Sequence, residues 1–294
     1  MKLRRMAAVL AVATLALTGC GKEGGTGGTG DAGVKVDTAQ DVKVEGSPTF
    51  DKMTQAGKVT IGVKEDQPNL GYRDPTTNEF SGFDVEIARL IGAKLGFDKD
   101  KIEFKPVPSA NREQAISNGD IHYYVGTYSI TDERKKQVSF AGPYFIAGQD
   151  LLVRKDEAGI TGPDTLEGKT VCSATGSTSI QRIKDEYQKA KTVEFEKYSQ
   201  CVEQLLNKQV DAVTTDDAIL KGYAAQQPDK LKVVGNKFSE EKYGVGLPKD
   251  DKVLRDKVND ILQGAIDDGT WKKVYGATLG KSGSPAEPPT LARY

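Results

Sequence analysis

The chain has 294 residues with 41 basic and 42 acidic side chains, a formal net charge of -1 and 37% hydrophobic residues. With no long basic run after the first few residues, this balance argues against nucleic acid or anionic lipid as a partner of the main body. Between two terminal segments about 230 residues remain, which suits one large domain or two lobes with an ample core.

The N-terminus has the pattern of an export signal. Lys2, Arg4 and Arg5 precede the almost wholly apolar run 6–17, which is too short to span a bilayer as a mature helix. The run ends in LTGC, and a small residue before a cysteine here predicts lipoprotein processing. We therefore expect residues 1–19 to be a signal peptide and Cys20 to be the acylated first residue. An ordinary signal peptide with an incidental cysteine is the alternative.

Two segments have the composition of flexible chain. Residues 20–47 hold the lipidated cysteine and a linker that is rich in glycine and threonine at its start. Residues 281–294 are rich in serine, proline and glycine, and we expect them to form a flexible tail.

Strands and helices alternate between these segments. In the first half we expect helices at 83–96, 111–119 and from about 132, and strands at 59–63, 102–107, 121–125 and 149–155. Asp84 is placed to cap the start of the first helix, and Gly96 is placed to end it. In the second half we expect helices at 177–190, 199–209, 216–227 and 251–268, and strands at 169–174, 192–198, 211–215, 231–235 and 243–248. This alternation predicts an α/β fold with largely parallel sheets.

Besides Cys20, the chain has only two cysteines, Cys172 and Cys201. In an exported chain such a pair predicts one disulfide, and two separate buried thiols are the alternative. The only histidine, His122, lies in a strand-like run, where packing explains it better than metal binding. We expect no metal and no cofactor.

Three loops share one design, in which a strand ends, small hydroxyl residues or an acid follow, and a helix begins. They are 126–134 (GTYSITDER), 173–178 (SATGST) and 214–218 (TTDDA). In parallel α/β sheets these strand ends form the ligand crevice. Arg134 offers a planar fork for a carboxylate and Asp216 suits an ammonium group, which together predict binding of an α-amino acid. The alternative is that these residues are helix caps and surface charges.

The chain resembles the polar-amino-acid substrate-binding proteins of ABC importers. The resemblance covers about residues 48–280 and rests on GFDVEIARLIGAKLG, YSITDERKKQVSFAGPY, SATGST, TTDDAIL and YGVGLPK. It implies a type II periplasmic-binding-protein fold of two α/β lobes, joined by two crossing strands near 144–148 and 240–246. Lobe 1 would comprise 48–146 and 244–280, and lobe 2 would comprise 147–243.

The same resemblance implies roles for individual residues. Arg134 would bind the α-carboxylate of the ligand, with help from Thr127 and Ser129. Asp216 would bind its α-ammonium group. From lobe 2, the ligand would also be held by Ser177 and Thr178.

Specificity should lie in segments 63–69 and 108–113. Lys64 and Arg112, accompanied by Ser109, stand where binders of acidic amino acids present cations. The runs DQPNLG and SANRE, with Cys172 and Cys201, are similar to glutamate-binding lipoproteins. A glutamate ligand, with aspartate second, is therefore expected. If Lys64 and Arg112 face solvent, the ligand would instead be neutral, such as glutamine or asparagine.

These features together predict a monomeric, extracytoplasmic lipoprotein, anchored in the cell membrane through Cys20. It would capture free glutamate and deliver it to the permease of an ABC importer. We expect no catalysis, because no distinctive acid–base pair is evident around Asp216. A dehydratase on the same fold and a tethered sensor that passes the ligand to a receptor are the alternatives, since fold does not imply function.

Overall fold

A computed structural model describes residues 34–282 and 286–294. Its α-helices are α1 (Pro48–Ala56), α2 (Phe83–Lys94), α3 (Arg112–Ser117), α4 (Asp132–Lys135), α5 (Thr178–Glu186), α6 (Tyr198–Leu206), α7 (Asp217–Gln226), α8 (Lys252–Asp267) and α9 (Thr270–Ala277). Its strands are β1 (Val59–Val63), β2 (Asp66–Gln67), β3 (Gly71–Arg73), β4 (Phe80–Ser81), β5 (Ile102–Pro106), β6 (Tyr123–Tyr124), β7 (Val138–Ala147), β8 (Gln149–Arg154), β9 (Thr170–Ala174), β10 (Lys191–Phe195), β11 (Ala212–Asp216), β12 (Leu231–Val233) and β13 (Glu241–Pro248).

Two five-stranded sheets dominate the structure, in the orders β5-β1-β6-β13-β7 and β10-β9-β11-β8-β12. In the first sheet β1 is parallel to β5 and β6, whereas β13 is antiparallel to β6 and β7. In the second sheet β9 is parallel to β10 and β11, whereas β8 is antiparallel to β11 and β12. The predicted α/β fold is confirmed, and in each sheet four strands run in one direction and a single strand, β13 or β8, runs in the opposite direction.

The two sheets are joined where the chain passes between them. Strand β7 of the first sheet continues through Gly148 into β8 of the second, and β13 returns from the second sheet to the first. We call residues 59–147 and 241–282 lobe 1, and residues 149–240 lobe 2. These sheet memberships agree with the expected crossings, and the exact lobe boundaries stay a prediction.

A short third sheet, β2-β3-β4, was not expected from the sequence. It is antiparallel and holds only seven residues, so it gives no periodic signal. Its first strand packs against α6 and α7 of lobe 2, so it lies where the lobes meet.

The core of lobe 1 closes around the last helix. Trp271 of α9 is buried and donates its indole N–H to the carbonyl of Tyr144 on the crossing strand β7. Its ring packs edge-on against Phe83 and stacks on Tyr275. Trp271 is therefore a core residue of lobe 1.

The ends of the described chain are packed more closely than their composition predicted. Val34, Val36 and Val42 lie against the core of lobe 1, and the backbone N–H of Ala39 donates to Ala93. This apolar spacing was overlooked in the expected linker 20–47. At the other end, within the expected flexible tail, Ala292 bonds to Gly142 and the hydroxyl of Tyr294 accepts from Phe140.

The part of the chain that the structure describes holds no helix long and apolar enough to cross a bilayer. The signal peptide, Cys20 and the glycine-rich run after it lie outside the described residues, so the structure has no bearing on them.

Cys172 and Cys201 form a disulfide, as the cysteine count predicted. Both residues are fully buried, and the bridge joins β9 to the first half of α6. It therefore fixes the start of α6, which faces β2 of lobe 1.

We predict that replacing both cysteines by alanine lowers the free energy of unfolding by about 3–4 kcal/mol, because the cross-link closes a loop of 29 residues in the unfolded chain. Chemical denaturation of the variant and of the parent chain would measure this loss. Equal midpoints and slopes for the two proteins would contradict a stabilising bridge.

Candidate functional site

The residues that the sequence singled out follow the carboxyl ends of four parallel strands. Lys64 follows β1, Thr127 follows β6, Ser177 follows β9 and Asp216 ends β11. Because β1 and β6 belong to lobe 1 and β9 and β11 to lobe 2, the two sheet edges face each other across the lobe interface. This is the place where open α/β sheets bind ligands.

Two of the predicted specificity residues are linked directly. Lys64 is buried and donates its ammonium group to the hydroxyl of Ser109 at 2.7 Å. Arg112, also buried, donates through Nε to the carbonyl of Ser109 at 3.0 Å. Neither cation points to solvent. The alternative of a neutral ligand assumed that both do, so it loses this support, although the identity of the ligand is not decided by it.

Arg112 and Arg134 converge on the same groups. Both guanidinium groups lie over the ring of Tyr128, at 4.3 and 5.0 Å from its centroid. Both also donate to the carbonyl of Gly176 in lobe 2, at 3.3 and 3.1 Å. Gly176 has a φ of +76°, and a Cβ there would lie 2.7 Å from the Cα of Ala110, so only glycine fits this approach.

The guanidinium group of Arg134 has more N–H donors than its contacts with the protein use. Its Nη1 donates to the carbonyl of Ser129 at 2.7 Å, and its Nε lies 3.3 Å from a carboxylate oxygen of Glu113. With the bond to Gly176, three of its five N–H donors are engaged. The remaining N–H groups can bind a carboxylate.

Burial in one place lowers the pKa of Lys64 and of Arg134. Loss of solvent first, and the neighbouring Arg112 second, lower the pKa of Lys64 to about 7. The pKa of Arg134 falls to about 10, again through burial first and Arg112 second. A bound anion would relieve both effects.

Asp216 is the acidic residue at the facing edge. One carboxylate oxygen accepts the hydroxyl of Tyr243 at 2.6 Å, and within the described chain the other is buried without a hydrogen-bond partner. Burial, followed by the nearby Glu241, raises the pKa of Asp216 to about 8. Although Asp216 occupies the N-cap position of α7, its side chain makes no capping bond. The capping alternative therefore fails for this residue.

Other predicted residues use their hydroxyl groups within the protein. Ser177 caps α5 by accepting from Ile180, as the capping alternative proposed. The hydroxyl of Ser173 donates to the carbonyl of Thr214. In the 3.2 Å hydrogen bond between Ser173 and Ser177, the hydroxyl of Ser177 is therefore the donor. Thr178 donates to Glu241 on the crossing strand β13. Ligand contacts by these two side chains stay predictions.

Ser129 is buried and pairs by its backbone with Tyr243 of β13, while its carbonyl holds Arg134. Its role in the structure is thus to position Arg134 through the main chain. A direct contact of its hydroxyl with a ligand stays a prediction.

Thr127 has an unusual backbone with φ +46°, held by its neighbours. Its N–H donates to Asp84, which also accepts the hydroxyl of Tyr144. Asp84 is therefore a buried support of this loop, and the expectation that it caps α2 is wrong, because the cap position is Gly82. The hydroxyl of Thr127 donates to Gln67 at 3.2 Å, so both of its donors are engaged.

A set of contacts joins the lobes beside these residues. Lys197 pairs with Glu65 at 2.6 Å, the N–H of Ser199 donates to the carboxylate of Asp66, and the hydroxyl of Tyr223 donates to the carbonyl of Asp66. Next to them a cavity of about 80 Å³ is lined from both lobes, by Val63, Lys64, Glu65, Asp66, Pro106, Val107, Pro108, Glu196 and Lys197. A larger groove of about 410 Å³, beside Arg154 and Lys230, lies away from the predicted residues.

Within the described residues, no group of histidine, cysteine, aspartate and glutamate side chains could hold a metal ion. The ring of His122 accepts from the backbone N–H of Thr60. The histidine therefore has the packing role that its strand position suggested.

Sequence reasoning missed several residues of the site, notably Gln67, Glu113, Tyr128 and Gly176. Tyr128 and Gly176 lie inside two of the strand-to-helix loops, so their place was visible although their role was not. The only sequence signal for Gln67 was its location in segment 63–69, which was expected to determine specificity.

The family model of bacterial extracellular solute-binding proteins, family 3, matches residues 59–281. Among curated relatives, the glutamate-binding protein GluB of Corynebacterium efficiens is 41% identical, covering 76% of this chain and 80% of its own length. The glutamine-binding protein of Geobacillus stearothermophilus is 38% identical, covering 84% and 92%. A solved structure of an ancestral arginine-binding protein bound to arginine superposes with a TM-score of 0.70 at 36% identity, covering 74% of this chain and 96% of its own.

Asp216 should make stability depend on pH. In the folded chain it keeps its proton up to about pH 8, whereas an unfolded chain releases it near pH 4. Between these values the folded state binds the extra proton, so this contribution to stability is largest at low pH and is lost as pH rises through 8. We predict that Asp216→Asn gains stability relative to the parent chain over this range, by about 1 kcal/mol per pH unit.

Chemical denaturation of the two ligand-free proteins at intervals from pH 4 to 9 would measure this difference. Asp100→Asn, at an exposed carboxylate, is the matched control and should run parallel to the parent. If the Asp216→Asn curve also runs parallel, the raised pKa is wrong.

Proposed function

Since the chain belongs to family 3 of the bacterial extracellular solute-binding proteins, we propose that it captures a free acidic amino acid and delivers it to an ABC importer. Glutamate is the proposed ligand, with aspartate second. The family and its amino-acid-binding relatives support the coarser role, and the charges at the lobe interface support the finer one.

One observation carries the choice of an acidic ligand. Lobe 1 gathers three buried cations, Lys64, Arg112 and Arg134, at the lobe interface. A neutral amino acid brings one carboxylate, for which Arg134 is sufficient. Glutamate brings a second carboxylate, which would pair with Lys64 and Arg112 and offset the cost of burying them.

Lobe 2 supplies the complementary group. Asp216 presents a buried carboxyl oxygen that has no hydrogen-bond partner in the described chain, and a ligand ammonium group would donate to it and favour its ionised form. Tyr243 holds the other oxygen, which fixes the direction of the first. The α-ammonium group and α-carboxylate of one ligand would therefore be bound by different lobes, so binding favours their closure.

Curated relatives bind different side chains, since one is named for glutamate and another for glutamine. Glutamine is thus the second candidate. Thermal shift of the purified protein with equal concentrations of glutamate, aspartate, glutamine and asparagine separates the two, because the ligand that binds more tightly stabilises the folded protein more. A larger shift with glutamine than with glutamate would reject the proposed specificity.

We predict that Lys64→Met weakens glutamate binding by about 2–3 kcal/mol, or roughly 30- to 150-fold, and changes glutamine binding little. Lys64 is a better position for this test than Arg112. Arg112 also donates a hydrogen bond to Gly176 of lobe 2, so replacing it would affect the binding of every ligand. Calorimetric titration of both ligands gives the two affinities.

The matched control is Lys136→Met, which removes an exposed lysine paired with Glu133 and should leave both affinities unchanged. A Lys64→Met protein that loses glutamate and glutamine affinity equally would show that Lys64 does not read the side-chain carboxylate.

The proposal includes anchoring through a lipid on Cys20, as a monomer at the extracytoplasmic face of the membrane. The LTGC run after the apolar segment supports it. We predict that Cys20→Ser releases the protein from membranes or leaves the precursor unprocessed. Fractionation and mass spectrometry in the native host would test this, and a soluble chain cut before Cys20 would contradict it.

Transport rather than catalysis or sensing is proposed because the family is one of solute-binding proteins. Conversion of a bound amino acid, seen by product analysis, would favour an enzyme. Ligand-dependent binding to a receptor instead of an ABC permease would favour a sensor.

A further inference from the structure

Gln67 is a buried polar residue at the lobe interface that the predicted ligand set does not include. It ends β2, the strand that packs against α6 and α7 of lobe 2, and its side chain is fully buried. Its amide oxygen accepts the hydroxyl of Thr127. Its amide nitrogen has no hydrogen-bond partner within residues 34–282 and 286–294.

Such a nitrogen is costly unless something accepts from it. A buried amide that loses its hydrogen bonds is strongly disfavoured relative to water. Exchanging the two ends of the amide does not remove the problem, because the Thr127 hydroxyl can pair with only one of them and the other end stays unpaired. An acceptor outside the described chain would satisfy the two N–H donors.

Thr127 shows which acceptor is appropriate. It follows β6 at the ligand-binding edge of lobe 1, and it was expected to help Arg134 bind a carboxylate. Both of its donors are instead engaged, by Asp84 and by Gln67. The side chain that extends from Thr127 with unused donors is Gln67.

We propose that Gln67 binds the α-carboxylate of the amino-acid ligand through its amide nitrogen, positioned for this by Thr127. This inference rests on the proposed function only as far as the ligand is an amino acid. Every such ligand has an α-carboxylate, so the assignment holds whether glutamate or glutamine proves to be bound.

The test uses two variants of the full chain. Gln67→Met keeps a side chain of similar length and removes the donors, and we expect it to weaken binding about 10- to 100-fold. Gln67→Glu keeps an oxygen for Thr127 but adds a negative charge, so we expect a larger loss. Calorimetric titration with glutamate and with glutamine should show the same fold-loss for both ligands.

A second measurement separates a ligand contact from a structural role. Replacing the α-carboxylate of the ligand by a carboxamide should weaken binding to the parent protein. The same replacement should weaken binding to Gln67→Met by a smaller factor, because this variant already lacks the amide donor that would contact the α-carboxylate. The melting temperature of ligand-free Gln67→Met should be equal to or above that of the parent, because an unpaired buried donor has been removed.

Asn259 offers a matched control. It is a buried amide on α8 whose oxygen accepts from Gly142 and whose nitrogen also lacks a partner in the described chain. Its helix packs on β7, α9 and α2. Asn259→Asp introduces the same chemical change as Gln67→Glu and should leave affinity unaltered.

Three results would overturn the proposal. They are near-parental affinity in both Gln67 variants, an unchanged factor for the α-amide ligand in Gln67→Met, and a loss confined to ligands with an acidic side chain. None of them coincides with failure of the proposed specificity, which is decided by glutamate against glutamine in the parent protein.

Discussion

The burial of three like charges is the constraint on which the rest of the site depends. Lys64, Arg112 and Arg134 lie within one edge of lobe 1, where loss of water alone would make each charge costly. The structure offsets part of this cost with the face of the Tyr128 ring, the carboxylate of Glu113 and the carbonyl of Gly176. The pKa of Lys64 is still lowered, through burial first and Arg112 second. Under the proposed function, an anionic ligand would offset the remaining cost.

The same constraint connects the ligand site to the contact between the lobes. The carbonyl of Gly176 in lobe 2 accepts from both arginines of lobe 1. Asp66 and Glu65 make further contacts with the start of α6, which the disulfide at Cys201 fixes to β9. This arrangement of the lobes thus has protein contacts of its own, to which a ligand bound between the lobes would add.

Two polar atoms at the lobe interface distinguish Asp216 and Gln67 from the charged residues around them. Arg134 and Arg112 have several protein contacts each. One oxygen of Asp216 and the amide nitrogen of Gln67 are buried and unpaired within the described chain. Asn259 has such a nitrogen as well, so an unpaired atom indicates a ligand contact only together with a position between the lobes. Such groups are uncommon in proteins, and under the proposed function an amino acid would supply a donor for one and an acceptor for the other.

By itself, the sequence determined the α/β alternation, the disulfide pair and the position of the strand-to-helix loops. These follow from periodicity and from local chemistry along the chain, which a single sequence displays directly. The resemblance added the family and the expected specificity residues Lys64, Ser109 and Arg112.

Only the tertiary structure decided which polar side chains are already engaged by the protein. Asp84 was expected to cap a helix, yet it supports Thr127 from a neighbouring element. Ser177 and Thr127 use their hydroxyl protons on Ser173 and Gln67, whereas Gln67 and Asp216 keep unpaired atoms. These pairings join residues distant in the chain, and the energy of a hydrogen bond depends on the distance and direction between two atoms. Sequence order fixes neither quantity, so the roles of these residues could be read only from the folded chain.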